Sequence, residues 1–209
     1  MDPDFWHDRW QRGQIGFHQP QVNGFLERHI GALGIKPGAR IFLPLCGKTR
    51  DIGWLLAQGY RVAGAELSDI AIRDLFADLG VTPDTTPAGA LKRHSAPGID
   101  IFEGDIFALT PETLGPVDAV FDRAALVALP PAMRARYASH MATLTARAPQ
   151  LLVTFDYDQS LTEGPPFSVS DDEVARLYGP THTVTLLDEG PLSGGVRGIP
   201  ARDIAWHLH

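Results

Sequence analysis

The chain carries a single cysteine, Cys46, in 209 residues. That excludes an intramolecular disulfide and suits a reducing compartment. No apolar run approaches the ~20 residues a bilayer-crossing helix needs. The opening stretch MDPDFWHDRW is charged and aromatic and lacks the apolar centre of a secretory signal. Positive charge is in short supply: 18 Lys and Arg face 25 Asp and Glu, a net charge of -7. Such a balance argues against a broad nucleic-acid-binding face. The 8 histidines show no tight metal-ligand spacing. His207 and His209 form only a weak pattern, so no metal is expected. What remains is an ordinary globular composition, 44% hydrophobic, on a chain most economically folded as one domain over residues 1–209. A cytoplasmic monomer is the expectation.

The stretch from Arg40 to Asp69 holds the most information. Ile41, Phe42, Leu43 and Leu45, interrupted only by Pro44, read as a strand buried on both faces of a parallel sheet. Gly47 permits a sharp turn, and Asp51 to Gln58 reads as a helix stopped by Gly59. Arg61 to Ala65 form the next strand, with Glu66 at its carboxyl end. A carboxylate there, about twenty residues past the loop, is placed to accept hydrogen bonds from two ribose hydroxyls.

Two phosphate-binding patterns are missing. Gly47-Lys48-Thr49 ends like a phosphate loop, but the position of its first glycine is Phe42, inside the strand. A dinucleotide fingerprint needs three glycines, and the segment 45–50 has one. The loop therefore suits a nucleoside cofactor without a pyrophosphate, and S-adenosylmethionine meets that condition. The alternative is an unremarkable glycine and a solvated strand-end carboxylate.

Strand and helix signals alternate beyond residue 40, as in an α/β sheet with helices on both faces. Ser68 caps a helix through Leu79. Residues 81–98, VTPDTTPAGALKRHSAPG, read as a long surface connection. Strands follow at Ile99 to Phe102, Val117 to Phe121 and Leu151 to Phe155. Helices are expected from Pro131 to about Arg147, and from a Ser170–Glu173 capping box to about Gly179. Thr181 to Leu187 and Ile204 to Leu208 close the chain as two β segments. Residues 1–39 stand outside this alternation. Phe5, Trp6, Arg9 and Trp10 share one helical face, and Gly16 to Pro20 form a bend, so the segment is expected to cover the carboxyl edge of the sheet.

These residues also carry a resemblance. FWHDRWQRGQIGFHQP, FLPLCGKTRDIGWLLAQGYRVAGAELSDIAI, GDIF, FDRAALVALPP, VTFDY and GPPFSVS follow one another in this order. Together they resemble the bacterial thiopurine S-methyltransferases. The match runs from Phe5 to Ser170 and weakens from Thr181 onward. It implies a Rossmann-like α/β fold: a seven-stranded, mostly parallel sheet, one strand antiparallel, helices on both faces and an N-terminal helical cover. Carried over position by position, it implies cofactor contacts from Trp10, Leu45, Glu66, Asp105, Ile106 and Arg123. Arg123 is expected to stabilise the acceptor thiolate. Phe17, Pro165 and Pro166 are expected around the acceptor ring. Without that role Arg123 would pair with Asp122 or Asp105, Ile106 would be plain core, and Cys46 a small buried hydrophobe. The acceptor is expected to be a small thiol such as a thiopurine, with selenium or tellurium oxyanions as further candidates. Two readings compete: a relative acting on a halide or thiocyanate, and a non-catalytic relative that binds a partner.

Overall fold

The computed structural model describes residues 3–209, so the first two residues of the 1–39 cover lie outside the described part. Sixteen elements follow in chain order: α1 (Pro3–Gln11), α2 (Gly24–His29), β1 (Arg40–Leu43), α3 (Arg50–Ala57), β2 (Arg61–Glu66), α4 (Asp69–Leu79), β3 (Asp84–Ala88), β4 (Leu91–Ala96), β5 (Ile99–Glu103), α5 (Pro111–Leu114), β6 (Ala119–Asp122), α6 (Pro131–Leu144), β7 (Gln150–Tyr157), α7 (Asp171–Tyr178), β8 (Val184–Pro191) and β9 (Ala201–Leu208). Local chemistry sets many of their ends. Ser68 Oγ accepts from Ala71 N at the start of α4, and Gly80 closes that helix in the left-handed conformation. Asn23 caps α2 in the same way. β1 stops at Leu43, because Pro44 has no N–H to continue the ladder. Leu45 is thus not a strand residue: its φ is 46°, past a turn.

All nine strands join one sheet in the order β3-β4-β5-β2-β1-β6-β7-β9-β8. The expectation of seven mostly parallel strands is corrected here. β5, β2, β1, β6 and β7 pair in parallel, whereas β3-β4, β4-β5, β7-β9 and β8-β9 pair antiparallel, so the sheet is mixed. Two of the additional strands come from residues 81–98. They are not a loose connection but a hairpin extending the sheet edge, with Thr85 opposite His94 and Ala88 opposite Leu91. β3 contains Pro87, which an edge strand tolerates because a missing donor there breaks no interior ladder.

The alternation along β1 divides the interior. Ile41 and Leu43 pack with Ile52, Leu55 and Ile72 under α3 and α4. Phe42 packs on the opposite face with Tyr137, Met141 and Val174 of α6 and α7. Chain order reverses at β1, with β2 on one side and β6 on the other. The carboxyl ends there form the crevice in which open α/β sheets bind ligands. Among the described residues no helix is long and apolar enough to cross a membrane.

Asp122 closes β6 at this crevice and is fully buried. It accepts from Ala125 N at 3.1 Å, Leu126 N at 3.3 Å and Tyr137 Oη at 2.7 Å, which fixes the chain just past the strand. Burial pushes its carboxyl group up from 3.8 to about 6, against the pull of those donors. Its folded value lies above its unfolded one, so stability is lost as pH rises from 3.8 through about 6. Tyr137→Phe removes one donor from the ionised carboxylate. It should cost ~1–3 kcal/mol in urea unfolding above that range and less below it. An equal cost on both sides of about pH 6 would contradict the charge-dependent role given to this bond.

Candidate active site

The chain after β1 is held in a tight loop. Cys46 N donates to Ala65 O at 3.0 Å, and Leu45 and Gly47 both take positive φ, 46° and 53°. Gly47 N donates to Glu66 Oε2 at 2.7 Å, and Ser68 N donates to Glu66 Oε1 at 2.8 Å. Both carboxylate oxygens are thereby oriented, and each keeps lone-pair capacity for a second donor. Burial pushes the Glu66 carboxyl group up, and the amides of Ser68, Gly47 and Leu67 pull it back. The Gly47 N–H is the group that would face a phosphate in an anion-binding loop, and Glu66 occupies it. This loop is not built for a pyrophosphate.

The nine residues singled out from sequence meet at one cavity of about 740 Å³. Trp10, Phe17, Leu45, Glu66, Asp105, Ile106, Arg123, Pro165 and Pro166 all line it. Trp10 is buried and lies over Gly47, where an added Cβ would sit 3.3 Å from the indole. Phe17 stands edge-on to Trp6 and Trp10, with centroids at 5.6 and 5.7 Å. The N-terminal segment therefore covers the cavity with an aromatic wall. Ile106 is both core and lining: it is buried, and its carbonyl lies 2.8 Å from His140 Nε2. Asp105 caps the following 3-10 turn by accepting from Phe107 N at 2.9 Å.

Arg123 lies one residue past β6. Its Nη1 donates to Phe17 O at 3.5 Å, tying the cover to the sheet edge. The alternative pairing with Asp122 or Asp105 is not formed, since those carboxylates serve the amides and hydroxyl already named. Burial lowers the Arg123 pKa, while Asp51 and Asp203 oppose that shift. Cys46 behaves as a buried small hydrophobe, its thiol pushed well up by burial and by Glu66. His207 and His209 stack on each other with centroids 4.6 Å apart. Among the described residues no group of three or more His, Cys, Asp and Glu is placed to hold a metal ion.

Several lining residues had no signal in the sequence. The β8–β9 connection brings Leu192, Ser193, Gly195, Val196 and Arg197 to the cavity. This segment has no periodicity, and its place depends on the β8–β9 pairing. Arg197 donates to Glu163 O at 2.6 Å and to Pro165 O at 3.0 Å, holding the Gly-Pro-Pro rim in position. Arg136 of α6 also lines the cavity, with its guanidinium 3.9 Å from the Phe107 centroid. Arg9, read from sequence only as part of an aromatic face, and His18 in the bend complete the covering side.

The polar groups and shape fit an adenosyl group: an oriented carboxylate to accept from a ribose, and an apolar Ile106 beside a polar Asp105 for an adenine. Solved structures share the fold. Magnesium protoporphyrin IX methyltransferase of Synechocystis with bound S-adenosylhomocysteine superposes with a TM-score of 0.65 at 16% identity, covering 100% of each chain. The Burkholderia thailandensis 1,6-didemethyltoxoflavin N1-methyltransferase gives 0.67 at 15% identity, over 99% of this chain and 86% of its own. Among curated relatives, thiopurine S-methyltransferase of Xanthobacter autotrophicus is 63% identical over 95% of this chain and 93% of its own length. That of Gluconobacter oxydans is 50% identical over 98% and 93%. A sequence model of thiopurine S-methyltransferase matches residues 1–193. The chain therefore belongs to the thiopurine S-methyltransferase family, α/β enzymes dependent on S-adenosylmethionine.

Proposed function

We propose that the protein methylates the sulfur of a small aromatic or heterocyclic thiol, of which thiopurines are examples. The observation that carries this reading is the meeting, in one covered cavity, of the oriented Glu66 carboxylate with Arg123 and the Phe17 ring. When bound, the cofactor supplies a methyl group already activated on a sulfonium. The chain supplies binding and alignment. Glu66 accepts from the ribose hydroxyls, and Asp105 and Ile106 flank the adenine. Leu45 and Trp10 bound the amino-acid tail. Arg123 is the catalytic residue: its guanidinium stabilises the acceptor thiolate and also reaches the cofactor side of the cavity. Phe17 on one side and Pro165 and Pro166 on the other hold the acceptor ring.

The cavity of about 740 Å³ has room for the cofactor and a ring-sized acceptor together, and Phe17, Pro165 and Pro166 give the acceptor side an apolar wall. A halide or thiocyanate would leave much of that space to water. A purely partner-binding role gives no reason for an enclosed cavity lined by a carboxylate and a guanidinium. Selenium or tellurium oxyanions are a second acceptor class, favoured by the Arg9, Arg123, Arg136 and Arg197 side chains along the lining. In this reading the protein works as a single-domain cytoplasmic monomer on a small molecule.

Two substitutions separate the roles. Glu66→Gln removes charge and one acceptor site, so calorimetric titration should show S-adenosylhomocysteine binding roughly 10- to 100-fold weaker. An unchanged constant would sink the ribose assignment. Arg123→Ala should lower kcat toward a heterocyclic thiol roughly 10²-fold or more while weakening S-adenosylhomocysteine binding far less. Equal losses in turnover and affinity would remove Arg123 from the acceptor side.

A further inference from the structure

A thiol that reaches a covered cavity still bearing its proton needs somewhere to leave it. Resting on the methyltransferase reading above, we propose that the His18 imidazole is the proton acceptor for acceptor thiols that are not already ionised. His18 lines the cavity, next in sequence to Phe17, whose carbonyl accepts from Arg123. Its backbone N–H donates to Ile15 O at 2.8 Å, and among the described residues its ring makes no hydrogen bond within the protein.

The other candidates along the lining are committed elsewhere. Glu66 holds Gly47 N and Ser68 N, Asp105 caps Phe107 N, and the Cys46 thiol is buried and stays protonated. The charged groups acting on His18 come from four places: Lys48 in the β1–α3 loop, Arg50 of α3, Asp78 of α4, and Arg123 past β6. Partial burial first, then Lys48, Arg50 and Arg123, lower its pKa from 6.5, while Asp78 acts the other way. The ring is therefore neutral at neutral pH. Once protonated among three cations, it returns the proton to solvent readily.

The step balances. The S–H bond of the acceptor breaks and its proton moves to an imidazole nitrogen. The sulfur lone pair forms a bond to the methyl carbon as that carbon's bond to the cofactor sulfur breaks, leaving a neutral thioether. The imidazolium then loses its proton to water. For a thiol that is already ionised, His18 has no proton to take.

The experiment compares two acceptors of similar size, 4-nitrobenzenethiol, ionised at neutral pH, and phenylmethanethiol, which is not. His18→Gln should lower kcat for phenylmethanethiol roughly 10²-fold and leave 4-nitrobenzenethiol within about twofold, which also reports a folded variant. Equal losses on both thiols, or no loss on either, would overturn the proposal. The wild-type protein offers a test that needs no variant. With His18 as base, kcat/KM for phenylmethanethiol should be nearly flat from about pH 7 to about pH 8.5. Without a base it should climb about tenfold per pH unit with the thiolate fraction. Nuclear magnetic resonance titration gives a readout free of turnover: an imidazole still cationic at about pH 7.5 would overturn the assignment. Wild-type protein that binds no S-adenosylhomocysteine and methylates neither thiol would instead refute the underlying reading.

Discussion

The Glu66 carboxylate is the joint on which the site depends. It ends β2 and accepts one amide from the loop after β1 and one from the start of α4. The loop after β1 and the β2–α4 junction, 19 residues apart, are thereby held around one charged group. The cost is burial of a carboxylate, visible in its raised pKa, and the two amides offset much of that cost. Because both oxygens are already oriented, a ribose would meet acceptors that need no rearrangement. The same bond removes the Gly47 N–H from the cavity, which separates this loop physically from a phosphate-binding one.

A second set of contacts turns the open crevice of the sheet into an enclosed cavity. α1 and the bend after it lay Trp6, Trp10 and Phe17 edge-to-face over the carboxyl ends of the strands. Trp10 approaches the loop so closely that Gly47 has no room to spare for a side chain. The Arg123–Phe17 bond ties this cover to β6. Arg123 in turn stands where it does because Asp122 is fixed by two amides and a tyrosine hydroxyl. On the opposite rim Arg197 holds the segment containing Pro165 by its carbonyls. Strand-end groups supply the fixed electrostatics, and the two covering segments supply shape and exclusion of water.

How much was legible in the sequence follows from how local each signal is. The β1-loop-α3-β2 unit was readable because burial on both faces, a glycine turn and a strand-end carboxylate lie within about thirty residues. Helix starts at Ser68 and Ser170 were readable because a cap is a contact over three residues. The 81–98 hairpin was not. Its strands are mostly exposed, contain a proline and pair along the sheet edge, so they lack the hydrophobic period that marks a buried strand. Cross-strand partners decide it, such as Lys92 and His94 meeting on Glu103.

The sequence alone determined the residue types that could serve a nucleoside cofactor, their order along the chain and the family resemblance, since these are properties of short segments. Only the tertiary structure decided that the six residues expected at the cofactor and the three expected at the acceptor line one cavity, and that the β8–β9 connection joins them. It also left Arg123 facing the cover rather than a neighbouring carboxylate, and placed the His18 ring on the cavity lining among Lys48, Arg50, Asp78 and Arg123. The physical reason is that these are contacts between segments far apart in sequence, 106 residues for Arg123 and Phe17, set by strand order and by which polar groups find partners on burial.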